Sequence, residues 1–428
     1  MATQTHSPTQ TATAPGVQQS GILVRVVVAF GLVAVLSALV GVVLSGASYE
    51  PAPGGLPDAG PIVGWLLPVV GALTFVCAMA TVGWLLLAGF LDPAAGKTTV
   101  SKRGRTALLR ASAAAGIWCI ISLVAAVFKL ASILGIDLGT AVGPSTFITY
   151  AWDIIDVRTL LICALLAAII SVGAAISVSL NGTTVWFGLA VAAVAIPAMA
   201  GHAAGLGDHG LALVNGVAHA VAATVWVGGL IALGATVWPK AETVGIAARR
   251  FGLLAMACVI VLVASGIANA YVRLGSPADL VTSGYGRLVL AKSALLIALV
   301  AIAAWIRKRL LPQLTGEQPR RTFAKVAGLE LALMGIASGL GVALSVTAPT
   351  RVAVEFPTQA EALLGFVFPA APSASSLILG WDFDALFLVL GIVACVYYSI
   401  GVARLRARGD HWPISRTICW FIGWGIVI

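Results

Sequence analysis

Long apolar runs separated by short polar turns organise this chain. Runs of about 20 residues, the length that crosses a bilayer as a helix, occur near 22–46, 62–91, 107–135, 155–180, 184–200, 211–238, 250–273, 285–306, 326–347 and 381–403. An eleventh starts at 413 and is still apolar at Ile428. The pattern predicts an all-α polytopic transmembrane helix bundle with about ten complete spans and a truncated one. The run at 184–200 is short, and Pro197 near its end predicts a bend into the turn that follows. Residues 1–20 are rich in Thr, Ser, Gln and Pro and read as a disordered tail. A secretory signal needs a basic segment at its very start, which is missing, so the first apolar run is expected to stay as a span. A stretch rich in Pro, Ala and Ser at 348–380 separates nine spans from the last two. The expected organisation is therefore a tail at 1–20, a nine-span domain at 21–347, an external linker at 348–380 and the start of a second helical domain at 381–428.

Composition narrows the class. The 428 residues are 60% hydrophobic and 10% charged, where a soluble domain carries roughly 25% charged residues. The net charge of +9 would suggest nucleic acid in a soluble protein; here it sits in loops. Assigning turns to alternate sides puts 19 of the 25 Lys and Arg on one side, with 11 of the 16 acidic residues on the other. The positive-inside rule then places the N-terminus in the cytoplasm and the turn at 201–210 outside. The six cysteines lie inside apolar runs without a CxxC pair, and read as small hydrophobes rather than redox or metal groups.

Scarce polar residues inside the spans carry the candidate chemistry. Three of the five histidines fall between Met199 and Leu230. His202 ends the fifth span, one turn after Met199, and Asp208 and His209 follow in the short turn. His219 lies about 12 Å down the sixth span at helical rise, with Asn215 one turn above it on the same face. Asn269 sits near the outer end of span seven, Lys292 about 10 Å into span eight, and Glu330 near the inner end of span nine. With Lys129 included, spans three and five to eight each place a polar or basic group in the outer half of the membrane. Imidazole with thioether suits copper, above all Cu(I); Asp208 keeps zinc open. Two histidines on neighbouring helices also suit a bis-histidine haem, or simple interhelical hydrogen bonding. Gly335 and Gly339 form a GxxxG that reads as close helix packing. No nucleophile elbow, phosphate loop or HExxH occurs, and no enzyme activity is expected.

Several of these segments resemble the copper resistance D (CopD/PcoD) family. They are Gly201-His202-Ala-Ala-Gly, His219 through Trp226-Val-Gly228-Gly229, Arg250-Phe251, Ser265-Gly266-Ile-Ala-Asn269, Tyr285-Gly286-Arg287 through Lys292, Glu330-Leu and Ala348-Pro349. The resemblance covers roughly 195–350 in order and spacing, and implies copper uptake or handling across a bacterial inner membrane. Trp381, Tyr397-Tyr-Ser-Ile-Gly401, Arg404 to Gly409, Trp412-Pro413 and Arg416 resemble the opening of the CtaG (caa3-type) cytochrome c oxidase assembly factors. Together they resemble an actinobacterial fusion of the two families.

The expected function is copper handling in the cytoplasmic membrane, linked to oxidase assembly. Copper is captured at Met199, His202, Asp208 and His209, passes to His219, and then moves past Asn269 and Lys292. The expected partners are copper ions, an external copper chaperone, cytochrome c oxidase subunits and the bilayer, with no nucleic acid. Two other readings remain: a haem electron-transfer protein using His202 and His219, and a non-transporting assembly scaffold.

Overall fold

The computed structural model describes residues 15–93, 98–199, 209–236, 241–305 and 317–351, with residues 308–309 and scattered positions between 358 and 421. Twelve helices are described: α1 (Pro15–Ser45), α2 (Gly60–Leu86), α3 (Lys102–Leu134), α4 (Leu138–Ala141), α5 (Pro144–Tyr150), α6 (Ile155–Ile176), α7 (Leu180–Met199), α8 (His209–Gly234), α9 (Ala241–Arg273), α10 (Asp279–Thr282), α11 (Gly284–Trp305) and α12 (Glu317–Val346). Nine of them are long and apolar enough to cross a membrane, and they match the first nine apolar runs. The tenth and eleventh runs are described only at scattered positions. Among the described residues the only β pairing is a single bridge, Thr99 to Ser179. The protein is a multi-pass all-α membrane bundle.

Local sequence explains where the helices begin and end. Ser101 caps α3, accepting from the Gly104 amide at 3.0 Å. Gly135 ends it with φ of 64°, against the Pro57 carbonyl, where a side chain would not fit. Asp137 caps the short α4 through the Thr140 amide. Asp156 lies in the first turn of α6, as the helix dipole favours. Pro197 falls two residues before the end of α7.

The bundle has two rims. At the near rim, where α1 begins, Asp92 is fully buried and accepts from Arg103 at 2.9 Å and from Ser101. Arg105 donates to the carbonyls of Ala175 and Ser177, which the end of α6 leaves without partners. Arg250 of α9 reaches the carbonyls of Phe90 and Asp92. At the far rim Thr347 hydrogen-bonds Ser45 at 2.9 Å, and the Arg351 amide donates to the Arg273 carbonyl.

The main core surrounds α2 and α8. It includes Met79, Trp84, Trp118, Trp226 and Ile231. Gly83 and Gly228 touch backbone to backbone, so neither position has room for a Cβ. Gly229 lies under the Phe251 ring. The GxxxG of α12 behaves the same way: Gly339 meets the backbone of Ala34 and Ala38 on α1. Ser37 also donates to the Ile336 carbonyl at 2.9 Å. α9 and α11 are looser, with Leu253, Ile267 and Ile297 each more than two-thirds exposed on their outer faces. Such residues match a lipid-facing surface.

Candidate functional site

His219 lies on α8, ten residues from the helix start and so about 15 Å from it along the axis. Its ring is partly buried, and Nδ1 is 3.0 Å from the Ser265 hydroxyl of α9. Ser265 is itself buried, and its hydroxyl also lies 2.6 Å from the Val261 carbonyl. A serine has one hydroxyl hydrogen. The shorter contact to a carbonyl takes that hydrogen, so the Ser265 oxygen accepts from Nδ1–H of His219. The imidazole is thereby fixed as the tautomer with its lone pair on Nε2. This is how proteins prepare a histidine for a metal: the second ring nitrogen is tied to an oxygen, which sets ring orientation and basicity.

Ser265 begins a polar stripe on α9. Asn269 and Arg273 follow at intervals of four, one above the other toward the far rim. Arg273 donates to the Asn269 side-chain oxygen and also hydrogen-bonds Tyr285, which is buried at the start of α11. Lys292 enters from α11, partly buried, and a Cβ built on Gly341 of α12 would lie 3.2 Å from its Nζ. The hydrogen bond from His219 to Ser265 thus joins α8 to the polar stripe of α9, while Lys292 of α11 lies against Gly341 of α12.

The structure brings together only part of the expected set. Asn269 belongs to the α9 stripe that Ser265 joins to His219, Asn215 stands one turn from His219 on α8, and Lys292 lies against Gly341 of α12. Lys129 does not join it; it pairs with Asp156 at 3.6 Å, between α3 and α6. The expected convergence of five spans therefore loses span three, because a nearer carboxylate claims its cation. Glu330 is buried in α12, eleven residues before Gly341 and so about 16 Å away along the helix. It lies well below the Lys292 level. Met199 ends α7 and is half exposed. His202 and Asp208 lie outside the described residues; His209 begins α8, but its side chain also lies outside them. Among the described residues no three His, Cys, Asp or Glu side chains gather as a metal cage.

Ser265 and Tyr285 entered the expectations only through the family resemblance, Gly341 only as helix packing, and Arg273 had no site role. The i, i+4, i+8 spacing of Ser265, Asn269 and Arg273 is the signal that could have found Ser265 and Arg273.

The fold and these polar residues define a multi-pass membrane protein whose one described imidazole is held by a serine of the neighbouring helix. Residues 245–344 match the family model described as copper resistance protein D. The match takes in α9 from its fifth residue, α10, α11 and most of α12, and so Ser265, Asn269, Arg273, Lys292 and Glu330, while His219 precedes it. An uncharacterized protein of Mycobacterium bovis is 28% identical over 233 residues, or 54% of this chain and 33% of the relative. One from Mycobacterium tuberculosis matches with the same figures. An uncharacterized protein of Mycobacterium leprae is 32% identical over 77 residues, 18% of this chain and 12% of the relative. The chain thus spans about a third of the length of the two longer-matching curated relatives. No solved structure matches it.

Proposed function

We propose that this protein handles copper within a bacterial cytoplasmic membrane, with copper as cargo rather than a resident cofactor. The N-terminus is cytoplasmic and the far rim faces outward. Copper is taken from the outer side at Met199, His202, Asp208 and His209 and passes to His219. The copper resistance D match over 245–344 supports the cargo. The observation that carries the reading is the His219–Ser265 pair, which leaves the Nε2 lone pair free to coordinate. A lone neutral imidazole, with the Met199 thioether as a separate donor at the entrance, suits Cu(I) and suits release as much as capture. From His219 the cargo moves toward Asn269 and Lys292. Through residues 381–428 the delivery serves cytochrome c oxidase assembly.

The test is Cu(I) titration of the purified full chain against a competing chelator, with the absorption spectrum recorded alongside. His219→Ala is expected to weaken copper binding by at least about tenfold, the low end of the loss seen when even the outer support of a metal ligand is removed. No Soret band is expected in either protein. Unchanged copper affinity in the variant sinks the reading, and a Soret band in the wild type replaces it with haem.

A further inference from the structure

We propose that Glu330 is a proton-carrying site: its carboxyl gives up a proton to the near rim when copper enters the inner half of the bundle, and takes one back when copper leaves. The cargo in this statement rests on the copper reading; the proton site does not.

α12 gives a different face to each neighbour. Gly335 and Gly339 lie against α1, and Leu331 lies against Gly234 of α8. Gly341 lies beside Lys292 of α11. Glu330 precedes Gly341 by eleven residues, close to three full turns, so both stand on one face of α12. Its neighbours along that face, Ala327 and Met334, are buried, and Glu330 itself is 6% exposed.

Among the described residues no hydrogen bond or salt bridge reaches this carboxyl. The charged groups of the packed helices are distant or turned to solvent. On α1, Arg25 is exposed. α2 has no charged residue, and its Cys77 offers only a thiol. On α8, His219 is fifteen residues before Gly234, about 22 Å along the helix. On α11, Lys292 stands at the Gly341 level, about 16 Å away, and Arg287 is further still. Lys308 and Arg309, beyond the end of α11, are exposed. On α12 the nearest charged residue in sequence is Lys325, five residues closer to the rim.

An ionised carboxylate without a partner is costly in such surroundings. With no cation beside it, what cancels its charge is a proton, and a proton can be removed. A glutamate kept for structure would hold a hydrogen-bond partner. Glu330 lies three residues inside the span Ala327–Val346, about 5 Å from the near rim and roughly 24 Å from the far one at helical rise. Its proton therefore exchanges with the near rim. The charges balance. A copper(I) ion brings one positive charge into a medium that screens poorly. The carboxyl O–H breaks, the proton goes to water at the near rim, and the carboxylate left behind cancels the added charge. The reverse follows as copper leaves.

Two measurements test this on the full chain. The first needs no copper. Dicyclohexylcarbodiimide adds to a protonated carboxyl in apolar surroundings and leaves a stable adduct. Purified wild type in detergent at neutral pH is expected to carry the adduct at Glu330, and Glu330→Gln to lack it; peptide mass spectrometry reads both. No adduct at Glu330 in folded wild type overturns the proposal. In the second, copper(I) movement is followed in proteoliposomes of known orientation while the pH is changed on one side at a time. Acid on the near-rim side keeps the proton in place, so wild-type movement should slow by up to about tenfold per pH unit, the dependence of a single proton. Glu330→Gln should move copper slowly and without that dependence; Glu330→Asp should keep it. Carbodiimide-treated wild type, expected to match Glu330→Gln, serves where that variant does not fold. Equal pH dependence in wild type and Glu330→Gln, or dependence on the far side alone, overturns the coupling. An adduct at Glu330 in a protein that moves no copper overturns the cargo and leaves the proton site standing.

Discussion

The Ser265 hydroxyl decides what His219 can do. With its hydrogen on the Val261 carbonyl, it can only accept from the ring. Ser265→Ala removes the acceptor but leaves the imidazole in place, so the ring is free to rotate and to change tautomer. Copper affinity is expected to fall about 10- to 100-fold, with the melting temperature little changed; chelator competition measures the first and thermal unfolding in detergent the second. Equal affinity in the variant would leave the hydrogen bond a packing detail. His219 was legible in the sequence because histidines are scarce and this one lies inside an apolar run. Ser265 was not. Serine bonding back to its own helix is ordinary, and its partner lies 46 residues earlier on another element. Nothing local in the sequence joins the two.

Packing between helices was legible only where the spacing lies within one helix. The GxxxG of α12 announced close approach, and Gly339 does meet the α1 backbone. Gly83 and Gly228 touch just as closely, but each is an isolated glycine whose partner is on another helix. Gly228→Val forces a branched side chain into the Met79–Gly83 backbone. Overpacking of this kind typically costs about 1–3 kcal/mol, and the variant is expected to melt at lower temperature or to aggregate on extraction. A wild-type melting curve would refute the contact. Lys129 shows the opposite failure. Depth alone placed it with the outer polar groups, but depth says nothing about which way a side chain turns, and Asp156 claims it. The short α10 turn at the far rim was not anticipated. Its Asp279 carboxyl is held below the usual carboxylate range, chiefly by the hydrogen bond from Thr350. A lowered native value means that the contribution to stability is complete above the unfolded value, about pH 4. It disappears as the pH falls through the native value. The stability difference between wild type and Asp279→Asn should therefore be present at pH 6 and shrink toward zero below pH 4. A difference that does not shrink as the pH falls below 4 contradicts the assignment.

Over the whole molecule, the nine described spans overlap the first nine apolar runs, because a bilayer demands about 20 apolar residues of every crossing helix; Lys102–Leu134 and Thr243–Arg273 extend beyond their runs by several residues at the start. Which helices neighbour which was not legible: α1 packs beside α12 and α2 beside α8, and hydropathy carries no label for partners. The far rim closes with Thr347 on Ser45 and Arg351 on Arg273, which ties the end of the ninth span to the first. A fragment ending after Arg351 is therefore expected to keep the copper affinity and melting temperature of the full chain while losing copper-dependent oxidase assembly in cells. Loss of copper binding by the fragment would mean that residues 352–428 complete the site.

The pairing of α1 with α12 also has a consequence in time. Ser37 and its acceptor Ile336 are 299 residues apart, and Thr347 follows Ser45 by 302. A chain made from its N-terminus must leave α1 standing in lipid, without its main neighbour, until nearly all of the nine-span region has been synthesised. α1 is the most apolar of the nine spans and has no charged residue between Arg25 and Ser45. The helix that waits longest is the one that lipid alone holds best. Within that span Ser45 bonds back to its own Val42 carbonyl, and only the Ser37 hydroxyl waits for α12 to bring its acceptor.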